Sequence, residues 1–274
     1  MCELDGCGDN QNTPQIRVSE IDRRAFLLGA ASLPLAAILA YPEFAAAQAA
    51  GLSPIEVPYD GGIATGVIAK PAKTPAPAVV LIHEWWGLND NIKAMAAEFA
   101  NLGYLAFAID LHGGKVAATP NEAKALTGGG DNAKRLKDLK SVINFLRHHK
   151  DSNGKVGTIG WCFGGGWSLD ASIAEPVDAT VIYYGRVTRQ ANELQTLQGP
   201  VLGHFATEDK FINAAMVGGF ESEMAKAGKS SKLEIHWYTA NHAFANPTGA
   251  RYDAEDAAIA WARTTAFFEK ELKR

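Results

Sequence analysis

Cys162 stands in the stretch Gly160-Trp161-Cys162-Phe163-Gly164. The run before it, Lys155–Ile159, reads as a strand, and a helix is predicted from about Gly165. Glycines two residues either side of a nucleophile suit a sharp strand-to-helix turn, where larger side chains would collide. The helix start adds free backbone N–H groups and a partial positive charge. That field favours thiolate over thiol and stabilises an oxyanion. Asp209 follows the predicted strand Val201–Phe205, and His242 follows the predicted strand Leu233–Tyr238. In the order nucleophile, acid, histidine, Cys162 would attack, His242 would shuttle the proton, and Asp209 would hold the imidazole tautomer. Each residue also has a plainer reading. Cys162 alone is a small buried hydrophobe, Asp209 a helix cap with Glu208 competing beside it, and His242 a surface-loop residue. Three such residues in one order, each at a strand end, favour the chemical reading.

The elements that must carry these residues alternate along the chain. Further strands are predicted at Ile63–Ala69, Ala78–Ile82, Tyr104–Ile109 and Val177–Tyr184. Helices are predicted at Asn89–Leu102, with Ile92, Met95, Ala96, Phe99 and Leu102 on one face, and at Ala133–His149, with Leu136, Leu139, Val142, Ile143 and Leu146. Ile212–Ala227 and Asp253–Leu272 complete the set. Strands alternating with helices predict an α/β fold: a single domain with a mostly parallel sheet and helices on both faces.

Composition narrows the function classes. The 274 residues are 47% hydrophobic, enough to bury a core and to exclude disorder as the main state. The net charge of −4, with no long basic run, argues against nucleic-acid or anionic-membrane partners. His83-Glu84 has no second histidine at zinc-protease spacing, the other histidines show no metal-ligand spacing, and His148-His149 is expected to end a helix facing solvent. Gly160, Gly164, Gly165 and Gly166 do not fit a dinucleotide-binding turn, and they lie mid-chain.

The first residues read differently. Arg23-Arg24-Ala25-Phe26-Leu27-Leu28 opens an uncharged run to about Ala40, and Ala45-Ala46-Ala47 and Ala47-Gln48-Ala49 offer small-residue cleavage sites. This is the order of a secretory signal, with an arginine pair of the twin-arginine type. Leu27–Leu39 is short for a membrane span and is interrupted by Pro34. Residues 1–47 are therefore expected to be an export signal read by the twin-arginine machinery, and residues 48–274 the domain, which would be periplasmic with no stable membrane span after cleavage. Cys2 and Cys7 would leave with the signal, and Cys162 would be the remaining thiol.

The domain resembles the dienelactone hydrolase (carboxymethylenebutenolidase) family of α/β-hydrolases from about residue 55 to 270. The resemblance is carried by His83-Glu84-Trp85-Trp86-Gly87-Leu88-Asn89, Asp110-Leu111, Ser152-Asn153-Gly154-Lys155-Val156-Gly157, Gly160-Trp161-Cys162-Phe163-Gly164-Gly165, Tyr183-Tyr184-Gly185, and His236-Trp237-Tyr238 with His242-Ala243-Phe244. It implies a Cys162-His242-Asp209 triad and a Glu84 that helps to deprotonate the thiol. It also implies an oxyanion hole from the N–H groups of Phe163 and Trp85, and no metal or organic cofactor. Where the best-studied members place two substrate-clamping arginines, this chain reads His112-Gly113-Gly114-Lys115 and Asn246. Lys115 would offer a point charge in place of a bidentate fork. Lys115, Trp86 and Asn246 are the expected substrate contacts, with neutral esters or lactones as the expected substrates. The expected reaction is cleavage of a small ester or lactone through a thioester. The alternative is a binding protein on the same fold, with Trp85, Trp86, Trp161 and Trp167 lining a site for an apolar or aromatic ligand.

Overall fold

The computed structural model describes residues 16–28 and 33–273; Cys2, Cys7 and part of the apolar run after Arg24 lie outside them. Three short helices come first: α1 (Glu20–Leu27), α2 (Leu35–Ala40) and α3 (Pro42–Ala49). Then follow β1 (Ser53–Tyr59), β2 (Gly62–Ala69), β3 (Ala76–Ile82), α4 (Asp90–Asn101), β4 (Leu105–Asp110), α5 (Pro120–Gly128) and α6 (Asn132–Arg147). The second half runs β5 (Ser152–Trp161), α7 (Phe163–Ala174), β6 (Ala179–Tyr183), α8 (Ala191–Leu194), β7 (Val201–Ala206), α9 (Ala214–Lys226), β8 (Leu233–Tyr238) and α10 (Ala254–Leu272).

The eight strands form one sheet in the order β1-β2-β4-β3-β5-β6-β7-β8. β1 and β2 pair antiparallel, as do β2 and β4, and the remaining pairs are parallel. Every residue of β3, β4, β6 and β7 is buried, as parallel strands covered on both faces must be. Alternation then sorts the side chains. Val79 and Leu81 face a core completed by Phe99 of α4 and Phe268 of α10, while Val80 and Ile82 face Leu139, Val142 and Ile143 of α6. The predicted single α/β domain is the observed one.

Two elements escape the periodicity reading. β1 carries Pro54 and Pro58, which obscure a strand pattern, and it pairs on one side only, with β2. α5 has a weak apolar face but a clear start: Pro120 opens it, and the Thr119 hydroxyl accepts the Glu122 N–H.

The segment read as an export signal is built onto the domain. Phe44 and Ala45 of α3 are fully buried in the core shared with α4, and Ile38 and Leu39 of α2 join them. Arg23 hydrogen-bonds Glu43 and lies over the rings of Tyr41 (4.9 Å) and Phe44 (5.7 Å). The expected boundary at residue 47 falls inside α3. Among the described residues no helix is long and apolar enough to cross a membrane.

His83 and His112 are buried where β3 and β4 end. His83 Nε2 accepts the Leu111 N–H at 3.0 Å, so its Nδ1 carries the proton toward the Glu84 carbonyl at 2.5 Å. Burial pushes His83 down to about 3 and lowers His112 as well. The native state therefore holds both neutral, whereas the unfolded chain protonates them near pH 6.5. Their stabilisation is complete above about pH 6.5 and is lost as pH falls, His83's down to about 3, at up to about 1.4 kcal/mol per pH unit for each. Urea melts at pH 7.5, 6 and 5 are expected to show a falling midpoint below pH 6.5. A midpoint unchanged down to pH 5 would contradict a neutral buried pair.

Candidate active site

β5 delivers Cys162 as the residue capping α7, with φ 53° and ψ −113°. A non-glycine residue held there is strained, and the surroundings fix it. The Cys162 N–H donates to the Tyr183 carbonyl at 3.0 Å. A Cβ on Gly160 would lie 2.0 Å from the Gly164 carbonyl oxygen, and one on Gly164 would lie 2.1 Å from that of Ile82. Both glycines are thus demanded by backbone packing around the turn. The thiol stands half-buried above the N-terminus of α7, where the Phe163 N–H belongs to the helix's first turn.

His242 and Asp209 arrive from the loops after β8 and β7. His242 Nδ1 is 2.6 Å from Asp209 Oδ2, and His242 Nε2 is 3.1 Å from Cys162 Sγ. The acid fixes the proton on Nδ1, which leaves Nε2 able to accept from the thiol. Asp209 is itself anchored, its Oδ1 accepting the N–H groups of Phe211 (2.7 Å) and Ile212 (2.9 Å). Asp209 and His242 are both buried. Glu208, the competitor next door, is exposed and accepts from Asn241 Nδ2 at 2.7 Å. Between these two carboxylates the structure brings Asp209 to the imidazole.

Glu84, Trp85, Trp86, Asn246 and Arg251 surround the thiol in a cleft of about 10 Å³. The Glu84 carboxylate accepts from Asn246 Nδ2 at 2.7 Å. Asn246 Oδ1 accepts from the Thr248 N–H and hydroxyl, which sets the orientation of the amide. Trp85 is buried, and its carbonyl meets His112 Nε2 at 3.0 Å, tying the loop after β3 in place. The Trp85 indole N–H has no acceptor among the described residues.

Several expected contacts fall elsewhere. Lys115 is exposed and lines a surface hollow with Asp110, Asp131 and Arg135, outside the cleft around Cys162. Gly113 and Gly114, with φ of 65° and 81°, turn the chain outward just before it. Trp161 faces an apolar cavity behind the cleft, and Trp167 packs on Phe163 with ring centroids 6.1 Å apart. His148 is exposed as expected, but His149 is half-buried against Phe145. The cation at the cleft is Arg251, which the sequence reading missed. It belongs to an irregular segment that folds back through Gly249 N–H to Asn246 and Asp253 N–H to Phe244. No spacing rule points to such a residue.

A cysteine on a strained strand-to-helix turn, on a mostly parallel sheet, is the arrangement of an α/β-hydrolase. Residues 64–272 match the model of the dienelactone hydrolase family. The chain belongs to that family, a class of carboxylic ester hydrolases. A carboxymethylenebutenolidase of Pseudomonas putida is 30% identical, covering 76% of this chain and 92% of its own. "Protein usf" of Aquifex pyrophilus is 33% identical over 80% and 98%. A crystal structure titled a putative dienelactone hydrolase, from Klebsiella pneumoniae, superposes with a TM-score of 0.72 at 25% identity, covering 80% of this chain and 98% of that one.

The geometry around the imidazole generates a contrast. Asp209→Asn should lower kcat by about 10³–10⁴, as loss of the tautomer-fixing acid does elsewhere. Glu208→Gln should stay within about threefold of the parent, as an exposed substitution away from the imidazole. Steady-state kinetics on an activated ester would check both, and equal losses would break the assignment.

Proposed function

We propose that the protein hydrolyses small esters or lactones through a thioester at Cys162. The observation that carries this reading is His242 bonded at once to Asp209 and to the thiol. Sγ attacks the substrate carbonyl carbon as its proton passes to His242 Nε2. Negative charge gathers on the carbonyl oxygen, and the N–H groups of Phe163 and Trp85 are suited to receive it. The C–O bond then breaks, and the imidazolium returns the proton to the leaving oxygen. Water attacks the thioester, its proton passing to His242 and then to the departing thiolate, so acid and free enzyme are regenerated. Glu84 lies in the same cleft as Cys162, and its role is to orient or deprotonate the thiol as substrate enters. Trp86 and Asn246 border the substrate's path, and Arg251 supplies the cation that Lys115 does not.

The chain is, in this reading, exported by the twin-arginine machinery to the periplasm. Support comes from the order of Arg23-Arg24, apolar run and small residues. Arg23→Lys with Arg24→Lys should leave precursor in the cytoplasm, and N-terminal sequencing of exported protein should begin near residue 48. Exported protein that begins at Met1 would contradict cleavage.

The chemistry has a direct test. Cys162→Ala should abolish turnover across an ester and lactone panel, and rapid quenching of the parent should trap an acyl group on Cys162 by mass. Near-normal kcat in the variant would end the thioester reading, and absence of turnover in the parent would favour a binding role. A lactone compared with and without its carboxylate should show kcat/KM values within tenfold, about 1.4 kcal/mol. Arg251→Leu should lower only the carboxylated form's value. A larger advantage for the carboxylate that survives Arg251→Leu would mean another cation acts.

A further inference from the structure

Behind the cleft lie two further hollows. The first, about 30 Å³, is bordered by Glu84 and Asn246 on the cleft side and by Leu39, Met95 and Trp161 beyond. The second is far larger, about 310 Å³, and shares Leu39, Met95 and Trp161 with the first. Its remaining wall is mainly apolar, with Leu35 from α2, Tyr252, and Ala257 and Trp261 from α10. The hydrogen-bonded pair Glu84–Asn246 borders both the cleft at Cys162 and the first hollow, which in turn meets the large cavity at Leu39, Met95 and Trp161. The cleft itself, at about 10 Å³, has room for roughly one water and no ester.

We propose that the large cavity receives the hydrocarbon acyl chain of a neutral ester, admitted past the Glu84–Asn246 pair. The proposal rests on the thioester reading above. This apolar hollow, partly open to solvent, suits the acyl part rather than the alcohol part, because the acyl group stays attached through both half-reactions while the leaving group must depart. Its volume falls in the range of small-ligand sites, and apart from Glu98 its lining rewards methylene burial. The first hollow, on the way from Cys162, is bordered by the Glu84 carboxylate paired with the Asn246 amide and, among the described residues, by no cation, so an anionic acyl chain would find no partner there. Trp161 couples the two sites directly, since it lines the cavity and precedes the nucleophile by one residue.

The test uses the full chain and 4-nitrophenyl esters, which hold the leaving group constant. For the parent, kcat/KM should rise at least tenfold from acetate to hexanoate, because each buried methylene is worth up to roughly fourfold. Ala257→Phe, which fills the cavity from α10, should lower the hexanoate-to-acetate ratio at least tenfold. Leu39→Ala, which widens the passage, should raise octanoate relative to hexanoate, and it provides a second reading should the first variant fold poorly. α2 falls within the segment expected to be cleaved, which would open that wall, so the Leu39 reading applies to the full chain, whereas α10 remains and the Ala257 variant can be read on either form. Acetate turnover with no preference for longer chains in the parent would overturn the cavity proposal and leave the hydrolase reading standing. An unchanged ratio in well-folded Ala257→Phe would do the same. Failure to hydrolyse even acetate would bring down both.

Discussion

The left-handed backbone of Cys162 is the constraint on which the rest of the site depends. It lifts a thiol clear of β5 and aims the first turn of α7 beneath it. The price is a turn that tolerates no side chain at Gly160, which faces the backbone of Gly164, or at Gly164, against which the backbone of Ile82 and His83 presses. The other non-glycine residues with positive φ among those described, Tyr184 and Ala243, lie at the same end of the sheet. Tyr184 packs edge-on against His242, and Ala243 follows it in the chain. Strain is concentrated where the strands end and the loops converge, which is where an open α/β sheet gathers its chemistry.

Beneath this strained layer sits a neutral polar one. His83 and His112 pack with their rings tilted at 58° and centroids 4.8 Å apart, and the Phe163 ring lies 5.4 Å from that of His112. Arg135, buried below, donates to the carbonyls of Leu111 (3.3 Å), Thr127 (3.0 Å) and Leu126 (2.8 Å), and its guanidinium lies 5.2 Å from the Phe163 ring. A buried cation met by carbonyl oxygens avoids most of the desolvation cost that an unpartnered one would carry. Those carbonyls come from the ends of β4 and α5, so α5 helps to hold the floor of the site although it contributes nothing to the cleft.

Legibility followed the strength of local pattern. β3, β4, β6 and β7 and the long helices were readable because strands covered on both faces must be continuously apolar and α4 and α6 keep a helical stripe. That Cys162, Asp209 and His242 meet was readable because a sharp turn needs glycines and strand ends recur in a fixed order. β1 was hidden by its prolines and α5 by its weak stripe, although Thr119-Pro120 marked its start. Lys115 was misplaced because two glycines erase any rule about where the following side chain goes. Arg251 was invisible because it reaches the cleft through an irregular fold-back with no period. The packing of α2 and α3 on α4 was invisible too, since an apolar run reads the same whether it is bound for a translocase or for a core.

The prolines of β1 also bear on association. Pro54 and Pro58 lie two steps either side of Glu56, so all three point their backbone nitrogens the same way. A strand accepts proline where the nitrogen faces away from its partner, which sets that side outward, away from β2. Along this border two of the three donors are missing, and the third sits beside a charged side chain. An extended segment from a neighbouring molecule would find carbonyl acceptors there but almost no donors. The β1 margin is thus a poor template for strand addition, a safeguard for a chain whose edge would otherwise invite aggregation.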